Sequence, residues 1–132
     1  MMPTVDDRLA AASSHLAQNR PEAAEAIFRD VLQQDPRSAR AMAGLGAVLL
    51  QRGLVDEAFE FLGRATTLDP KNADPYRNLS VVYRARGEPA NALACLEAAN
   101  ALEPDRVDTL LGMAETLVAL DRQDESVPLI EK

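Results

Sequence analysis

The chain has 132 residues, about the length of one domain. It is 47% hydrophobic but only 4% aromatic, with no tryptophan, which favours helices over a β-sandwich, whose strands are rich in β-branched and aromatic residues. The formal net charge of −7 argues against nucleic acid or an anionic membrane as the main partner, because phosphate binding needs clustered lysines and arginines.

Targeting and redox features are few. The apolar run that follows Asp6, Asp7 and Arg8 is too short for the core of a signal peptide. No stretch reaches the roughly 18 apolar residues that a membrane span requires. The single cysteine, Cys95, cannot form an internal disulfide and lacks the Cys or His neighbours of a metal site. We therefore expect a cytoplasmic protein without a metal or a cofactor.

Proline and glycine positions predict a succession of helices. Pro21 and Pro89 suit the first turn of a helix, where the missing N–H loses no hydrogen bond. Left-handed helix ends are predicted at four turn positions: Asn19, Gly53, Gly87 and Asp121. The predicted helices, in chain order, cover about 5–18, 21–34, 37–52, 55–68, 73–86, 89–102, 107–120 and 123–132.

The helices belong to a repeat. Pro36, Pro70 and Pro104 recur every 34 residues, each after an acidic residue that the proline forces out of the helix. A fixed period of this length signals stacked supersecondary units. Small residues keep the same register, and two helices pack closely only where small side chains meet. We therefore expect contacts between two pairs of them: Gly46 with Ala58, and Ser80 with Ala92.

The repeat unit resembles the tetratricopeptide repeat. The match in repeat two is Met42, Leu45–Gly46, Leu49, Ala58, Leu62 and Pro70, and in repeat three it is Tyr76, Leu79–Ser80, Tyr83, Ala92, Leu96 and Pro104. Repeat one is weaker, because Arg8 and His15 stand at apolar positions. The resemblance implies an all-α, right-handed superhelix of antiparallel helix pairs. It predicts a single array over residues 5–132, with repeats at about 5–38, 39–72, 73–106 and an incomplete 107–132.

Residues with catalytic potential are few, and we expect no enzymatic activity. His15, the only histidine, falls in the packing row of the first helix. Ser13 and Ser14 do not face it, because helix neighbours one or two residues apart point in different directions. The glycines of segment 44–53 lack the preceding strand and the Lys-Ser/Thr of a nucleotide-binding loop.

The resemblance implies that the first helices of successive repeats line a concave groove that binds a peptide or a partner helix. At 100° per residue, repeat positions 2, 5, 9 and 12 share one face beside the packing row. That face is substantially apolar, as at interaction sites. With Asn78 added, the predicted groove residues are Leu9, Leu16, Arg40, Ala43, Ala47, Leu50, Arg77, Asn78, Val81, Arg84, Leu111 and Glu115, and Val118 lies at the end of the same face.

Three arginines near the middle of the groove have two interpretations: Arg40, Arg77 and Arg84. Their planar guanidinium groups suit an acidic or C-terminal group of a peptide. They equally suit ion pairs between repeats, since Arg40 lies between Asp6 and Asp74 in the register and the other two are within reach of Glu115.

Two classes of function follow. The first is a scaffold whose groove binds a peptide or helix of a protein partner. The second is an N-terminal regulatory or substrate-presenting arm of a longer protein, for example one whose remaining part is a glycosyltransferase-like enzyme. Chaperone-tail receptors of the family use a carboxylate clamp, of which only Asn78 is present here, with Ala43, Ala47, Asp108 and Gly112 at the other places. We therefore do not expect a chaperone-tail receptor.

The last segment, residues 125–132, resembles the opening of a second helix. A helix of about ten residues is unstable without packing, and stacked arrays normally end in a polar capping helix. We therefore expect either a fragment of a longer array or self-association of two chains through the C-terminal end, near Val127 and Ile130.

Overall fold

Seven helices and no strand make up residues 3–120, the part of the chain that the computed structural model describes. Each begins and ends within two residues of its prediction, so the all-α fold class is confirmed. The predicted helix 123–132 and the turn at Asp121 lie outside the described residues. The helices are α1 (Val5–Ala17), α2 (Pro21–Gln34), α3 (Ala39–Gln51), α4 (Val55–Leu68), α5 (Ala73–Ala85), α6 (Pro89–Leu102) and α7 (Val107–Ala119).

Side-chain caps fix the start of the first helix in repeats one and two. Thr4 accepts a hydrogen bond from the Asp7 amide at 3.0 Å, and the Asp7 carboxylate accepts one from the Thr4 amide at 3.2 Å, which is a capping box. Ser38 accepts one from the Ala41 amide at 3.2 Å. Because Ser38 is the cap, α3 begins at Ala39, two residues later than predicted.

The predicted left-handed turns are confirmed within the described residues. Asn19, Gly53 and Gly87 have φ of 62°, 79° and 73°. In each turn the next amide donates to a carbonyl in the last turn of the preceding helix, as from Leu54 to Leu49 at 2.8 Å. This bond satisfies a carbonyl that the helix end would leave free. The turn reverses the chain, so the two helices of a repeat run antiparallel.

The chain divides into two compact units, residues 1–70 and residues 71–132, which we call unit 1 and unit 2. In unit 1, α2 packs on both α1 and α3, and α3 packs on α4. In unit 2, α6 packs on α5 and α7. The single array over residues 5–132 stays a prediction.

Two glycines let the helices of unit 1 approach closely. A Cβ on Gly44 would lie 2.2 Å from Cζ of Phe28, and one on Gly46 would lie 2.5 Å from Cδ2 of Leu62. Phe28 and Leu62 are buried. The side chain that faces Gly46 is therefore Leu62, one turn beyond Ala58, and the contact with Ala58 itself stays a prediction.

Unit 2 packs around α6. Leu96 is buried and faces Gly112 of α7, where a Cβ would lie 3.2 Å from Cδ2 of Leu96. Two hydroxyls in the interior are satisfied locally: Ser80 donates to the Arg77 carbonyl at 2.5 Å and Thr116 donates to the Gly112 carbonyl at 2.6 Å. These bonds allow polar side chains at buried positions of α5 and α7.

Candidate functional site

Two of the predicted groove residues in unit 1 are core residues. Leu9 is 4% exposed and Ala43 is 9% exposed, and Ala43 belongs to a buried cluster with Met42 and Ala65. Both hold position 5 of their repeats, and α1 packs against α3. The calculation at 100° per residue treats each helix as isolated. In repeats one and two, however, neighbouring helices cover position 5. The prediction of an open surface is therefore wrong at Leu9 and Ala43.

The rest of the predicted face in unit 1 is half-buried. Leu16, Ala47 and Leu50 are all intermediate in exposure. Arg40 is exposed, and its Nη1 donates to Oδ1 of Asp6 at 2.9 Å, which joins α3 to α1. Arg40 thus forms the ion pair between repeats that the sequence allowed, and this face of unit 1 offers little open apolar surface.

In unit 2 the same face carries three exposed apolar side chains among charged ones. Val81 of α5 is 50% exposed, and Leu111 and Val118 of α7 are 57% and 58% exposed. We call these three residues the apolar patch. Exposed apolar side chains that share one face of a protein are typical of interaction sites.

Two ion pairs between α5 and α7 cross the face that carries the apolar patch. Arg84 Nη2 donates to Oε2 of Glu115 at 2.8 Å, and Arg77 Nε lies 4.0 Å from Oδ2 of Asp108. On each helix one side chain of the patch lies between the two charged residues. The ion pairs therefore flank Val81 and Leu111 and hold the two helices side by side, whereas Val118 lies beyond Glu115.

The predicted groove arginines are all engaged by carboxylates of the same chain. Arg77 is only 12% exposed, pairs with Asp74 on its own helix and lies 3.5 Å from Glu103. Its Nη1 is buried and has no hydrogen-bond partner among the described residues. Asn78, beside it, is half-buried. All three arginines thus form ion pairs within the chain, and the Arg40 and Arg84 side chains stay 59% and 37% exposed.

Asp108 keeps a negative charge at the edge of the apolar patch. Desolvation alone would raise the pKa of Asp108, but it accepts hydrogen bonds from the Arg106 guanidinium at 3.0 and 3.2 Å and from the Thr109 amide at 2.8 Å. With the positive charges of Arg106 and Arg77, these bonds hold the pKa of Asp108 below its ordinary value of 3.8.

The histidine and the cysteine belong to other helices. His15 is half-buried in α1, and its Nδ1 has no hydrogen-bond partner among the described residues. Cys95 is half-buried in α6, where burial raises the pKa of its thiol above the ordinary 9.0. Within residues 3–120, no three His, Cys, Asp or Glu side chains are placed to hold a metal ion. None of the helices there is both long enough and apolar enough to span a bilayer.

Comparison with known sequences identifies the repeat. Two family models, both described as tetratricopeptide repeat, match residues 9–73 and 49–105. Cellulose synthase operon protein C of Escherichia coli (strain K12) is 32% identical over 126 residues. That alignment covers 92% of this chain, which spans 10% of the length of the relative.

Comparison with solved structures supports the same family. An O-GlcNAc transferase mutant of Thermobaculum terrenum superposes with a TM-score of 0.81 and 28% identity, over 88% of this chain and 23% of that chain. The first TPR of Spaghetti (RPAP3), bound to the HSP90 peptide SRMEEVD, superposes with a TM-score of 0.81 over 89% of this chain and 93% of that chain. Its 14% identity shows likeness of fold alone. The repeat, the helix pairs and the family models together show that this chain belongs to the tetratricopeptide repeat family.

Proposed function

We propose that the chain is a non-catalytic protein-interaction scaffold that binds a peptide or helix of a partner protein on its first helices. The observation that carries the proposal is the apolar patch of unit 2, beside the ion pairs that join α5 to α7. A tetratricopeptide repeat scaffold acts through its surface, and this is the part of the predicted groove that stays open in the structure.

The patch suits an amphipathic ligand. Leu111 and Val118 lie two turns apart along α7, with Glu115 between them. A partner helix with apolar residues at spacings of three, four and seven could lay that face against this row. Full burial of a Val or Leu side chain contributes about 1.5–3 kcal/mol. The patch side chains are about half exposed, so burying all three would contribute on the order of 3 kcal/mol.

The ion pairs beside the patch would set the register of the ligand. Arg84 and Glu115 side chains are 37% and 58% exposed, so each keeps hydrogen-bonding capacity beyond the other. A ligand with a polar group at the matching distance from its apolar side chain gains binding free energy through a hydrogen bond to Arg84 or Glu115. A ligand with an apolar group there would desolvate both charged side chains without offering a hydrogen bond. The patch would thus supply affinity and the ion pairs selectivity.

A pair of matched variants tests the proposal. Leu111→Asp places a charge in the patch, whereas Leu102→Asp makes the same change in the same unit at a side chain of α6 that is 37% exposed. Partners captured from cell extract by the wild-type chain are identified by mass spectrometry and measured again with each variant. We expect Leu111→Asp to lose the partners that Leu102→Asp retains, with unchanged helicity by circular dichroism. Equal capture by the two folded variants would contradict the proposal.

A second proposal places the same scaffold as a regulatory or substrate-presenting arm of a longer protein. This proposal is favoured because similar proteins are much longer than this chain: it spans 10% of the length of cellulose synthase operon protein C and 23% of the O-GlcNAc transferase chain. An antibody raised against residues 3–120 tests it on the native protein. A band well above the mass expected for 132 residues supports an arm, and a band at that mass contradicts it.

A further inference from the structure

The second helices of unit 1 carry a concave surface of their own. One cavity of about 590 Å³ lies along α4, and another of about 330 Å³ lies between α2 and α4. The two are adjacent, because Pro36, Met42 and Arg64 line both. We call the two cavities together the outer groove.

The floor of the outer groove is apolar and half-exposed. Leu32, Phe61 and Leu68 pack against the buried cluster that contains Met42, and each keeps part of its surface open. A cavity with an aromatic ring, aliphatic side chains and a methionine is the kind of lining that takes a bulky apolar side chain of a ligand.

The rim of the outer groove carries two unpaired cations. Arg37 and Arg64 are exposed, and within the described residues neither forms an ion pair. Other arginines of the described chain do pair with carboxylates: Arg8, Arg29, Arg40, Arg52, Arg77, Arg84 and Arg106. Glu60 lines the groove together with these two guanidinium groups.

Arg64 is held over the floor of the groove. Its guanidinium carbon lies 6.0 Å from the centroid of the Phe61 ring, within the range of a cation–π contact. Arg37 stands on the turn between α2 and α3, which is shaped by a hydrogen bond from the Arg37 amide to Oδ1 of Asp35 at 3.2 Å. Both cations therefore sit on ordered backbone beside an apolar cavity.

We propose that the outer groove binds an acidic protein segment, in which a bulky apolar side chain is flanked by Asp or Glu. The apolar side chain would fill the cavity, and the flanking carboxylates would accept charge-assisted hydrogen bonds from Arg37 and Arg64. On a chain with a net charge of −7, the placement of two arginines without ion pairs among the described residues on one apolar cavity favours an acidic ligand at this groove. This surface goes beyond the apolar patch: it lies on the second helices and recognises opposite charge.

Selection from a random peptide library displayed on phage tests the inference on the full chain. Enriched peptides are synthesised with a fluorophore, and their binding is measured by fluorescence anisotropy at physiological salt. We expect enrichment of sequences with one bulky apolar residue and at least two acidic neighbours. Enrichment without acidic residues, or no enrichment, would overturn the proposal.

Four variants locate the site. Arg64→Glu should weaken the enriched acidic peptides by at least about tenfold, because a charged hydrogen bond is replaced by repulsion. Arg20→Glu is the matched control, since Arg20 is also exposed and forms no ion pair within the described residues, and it should change binding by less than about twofold. Gly63→Leu adds a side chain to open space in the groove wall and should block binding without a charge change.

The fourth variant, Leu111→Asp, separates the outer groove from the apolar patch. It should leave the acidic peptides bound as tightly as the wild-type chain does, whatever it does to other partners. Equal weakening by Arg64→Glu and Arg20→Glu, or loss on Leu111→Asp, overturns the proposal. Sedimentation of the wild-type chain alone tests whether a second copy of the chain fills the outer groove. Dimerisation that Arg64→Glu abolishes would show this and would also overturn the proposal.

Discussion

Replacing Gly44 by alanine tests the packing of unit 1 at its tightest point. A Cβ there would lie 2.2, 2.3 and 2.8 Å from three carbons of the Phe28 ring. Carbon atoms in favourable contact are about 3.5–4.0 Å apart, so the ring or the helix must move by more than an ångström. Phe28 is 2% exposed, so its ring is packed inside the core. We therefore expect α2 and α3 to be forced apart.

The size of the effect can be worked from two opposing terms. Overpacking of a filled core costs about 1–3 kcal/mol. Exchange of glycine for alanine inside a helix stabilises it by about 0.5–1 kcal/mol. The net loss in the free energy of unfolding should then be about 0–2.5 kcal/mol, or up to several degrees in Tm for a chain of this length. Gly63→Ala is the control, because no atom lies within 4 Å of the added Cβ and only the favourable term remains.

Urea and thermal unfolding followed by circular dichroism measure both variants. Gly44→Ala should be less stable than the wild-type chain, and Gly63→Ala slightly more stable. Phe28→Leu added to Gly44→Ala should recover part of the loss, because the smaller side chain makes room. If Gly44→Ala is as stable as Gly63→Ala, the close approach of Gly44 to Phe28 is not a packing constraint and the reasoning is refuted.

Three further predictions concern ionisation and backbone shape. The hydrogen bond from Arg29, opposed by desolvation and aided by Arg52, holds the pKa of Glu25 below its ordinary 4.5. Its stabilisation is therefore present above pH 4.5 and lost as the pH falls through the lowered pKa. Glu25→Gln should flatten the decline in stability below that pH, and an unchanged slope would contradict this. Because burial raises the pKa of Cys95, its thiol should react with a disulfide reagent near pH 8 more slowly in the folded than in the unfolded chain, and equal rates would contradict the burial. Gly87 has φ of 73°, so Gly87→Ala should lose about 1–2 kcal/mol of stability and Gly87→Asn clearly less; equal losses would argue against a left-handed turn.

The helices and their turns could be predicted from the sequence because their signals are local. Proline and glycine act on their own backbone, so Pro21, Gly53 and Gly87 mark helix starts and turns without knowledge of any neighbour. The same holds for Asn19, which adopts φ of 62° at the equivalent turn. Asp105 was not predicted to take a left-handed conformation, yet its φ is 66°. Its sequence context, which follows Pro104, lacks the glycine that marked the other turns.

The surface was harder to predict because exposure depends on neighbouring helices. Leu9 and Leu111 hold the same position in repeats one and four, yet one is 4% and the other 57% exposed. Angular position within one helix cannot distinguish them. Neighbouring helices also explain Arg8, which stands where the repeat pattern expects an apolar residue. Arg8 pairs with Asp30 of α2 and donates to Oε1 of Gln34 at 3.1 Å. A partner in another helix makes the charge tolerable at that position.

The structure also changes which substitutions probe binding cleanly. Charge reversal at Arg77 would leave a largely buried glutamate beside the carboxylates of Asp74, Glu103 and Asp108. Such a variant would lose stability as well as any ligand contact. Leu111 is exposed and far better suited, because its replacement removes little from the core.

Site-specific photo-cross-linking in cells tests the central claim most directly. A photoreactive benzoylphenylalanine is placed at position 111 in one variant and at position 102 in another, so that the probe replaces a leucine of unit 2 in both. Our account predicts that light produces a discrete protein adduct from position 111, in the apolar patch, and none from position 102. No adduct at position 111, or the same adduct from both positions, would contradict the assignment of partner binding to the first helices of unit 2.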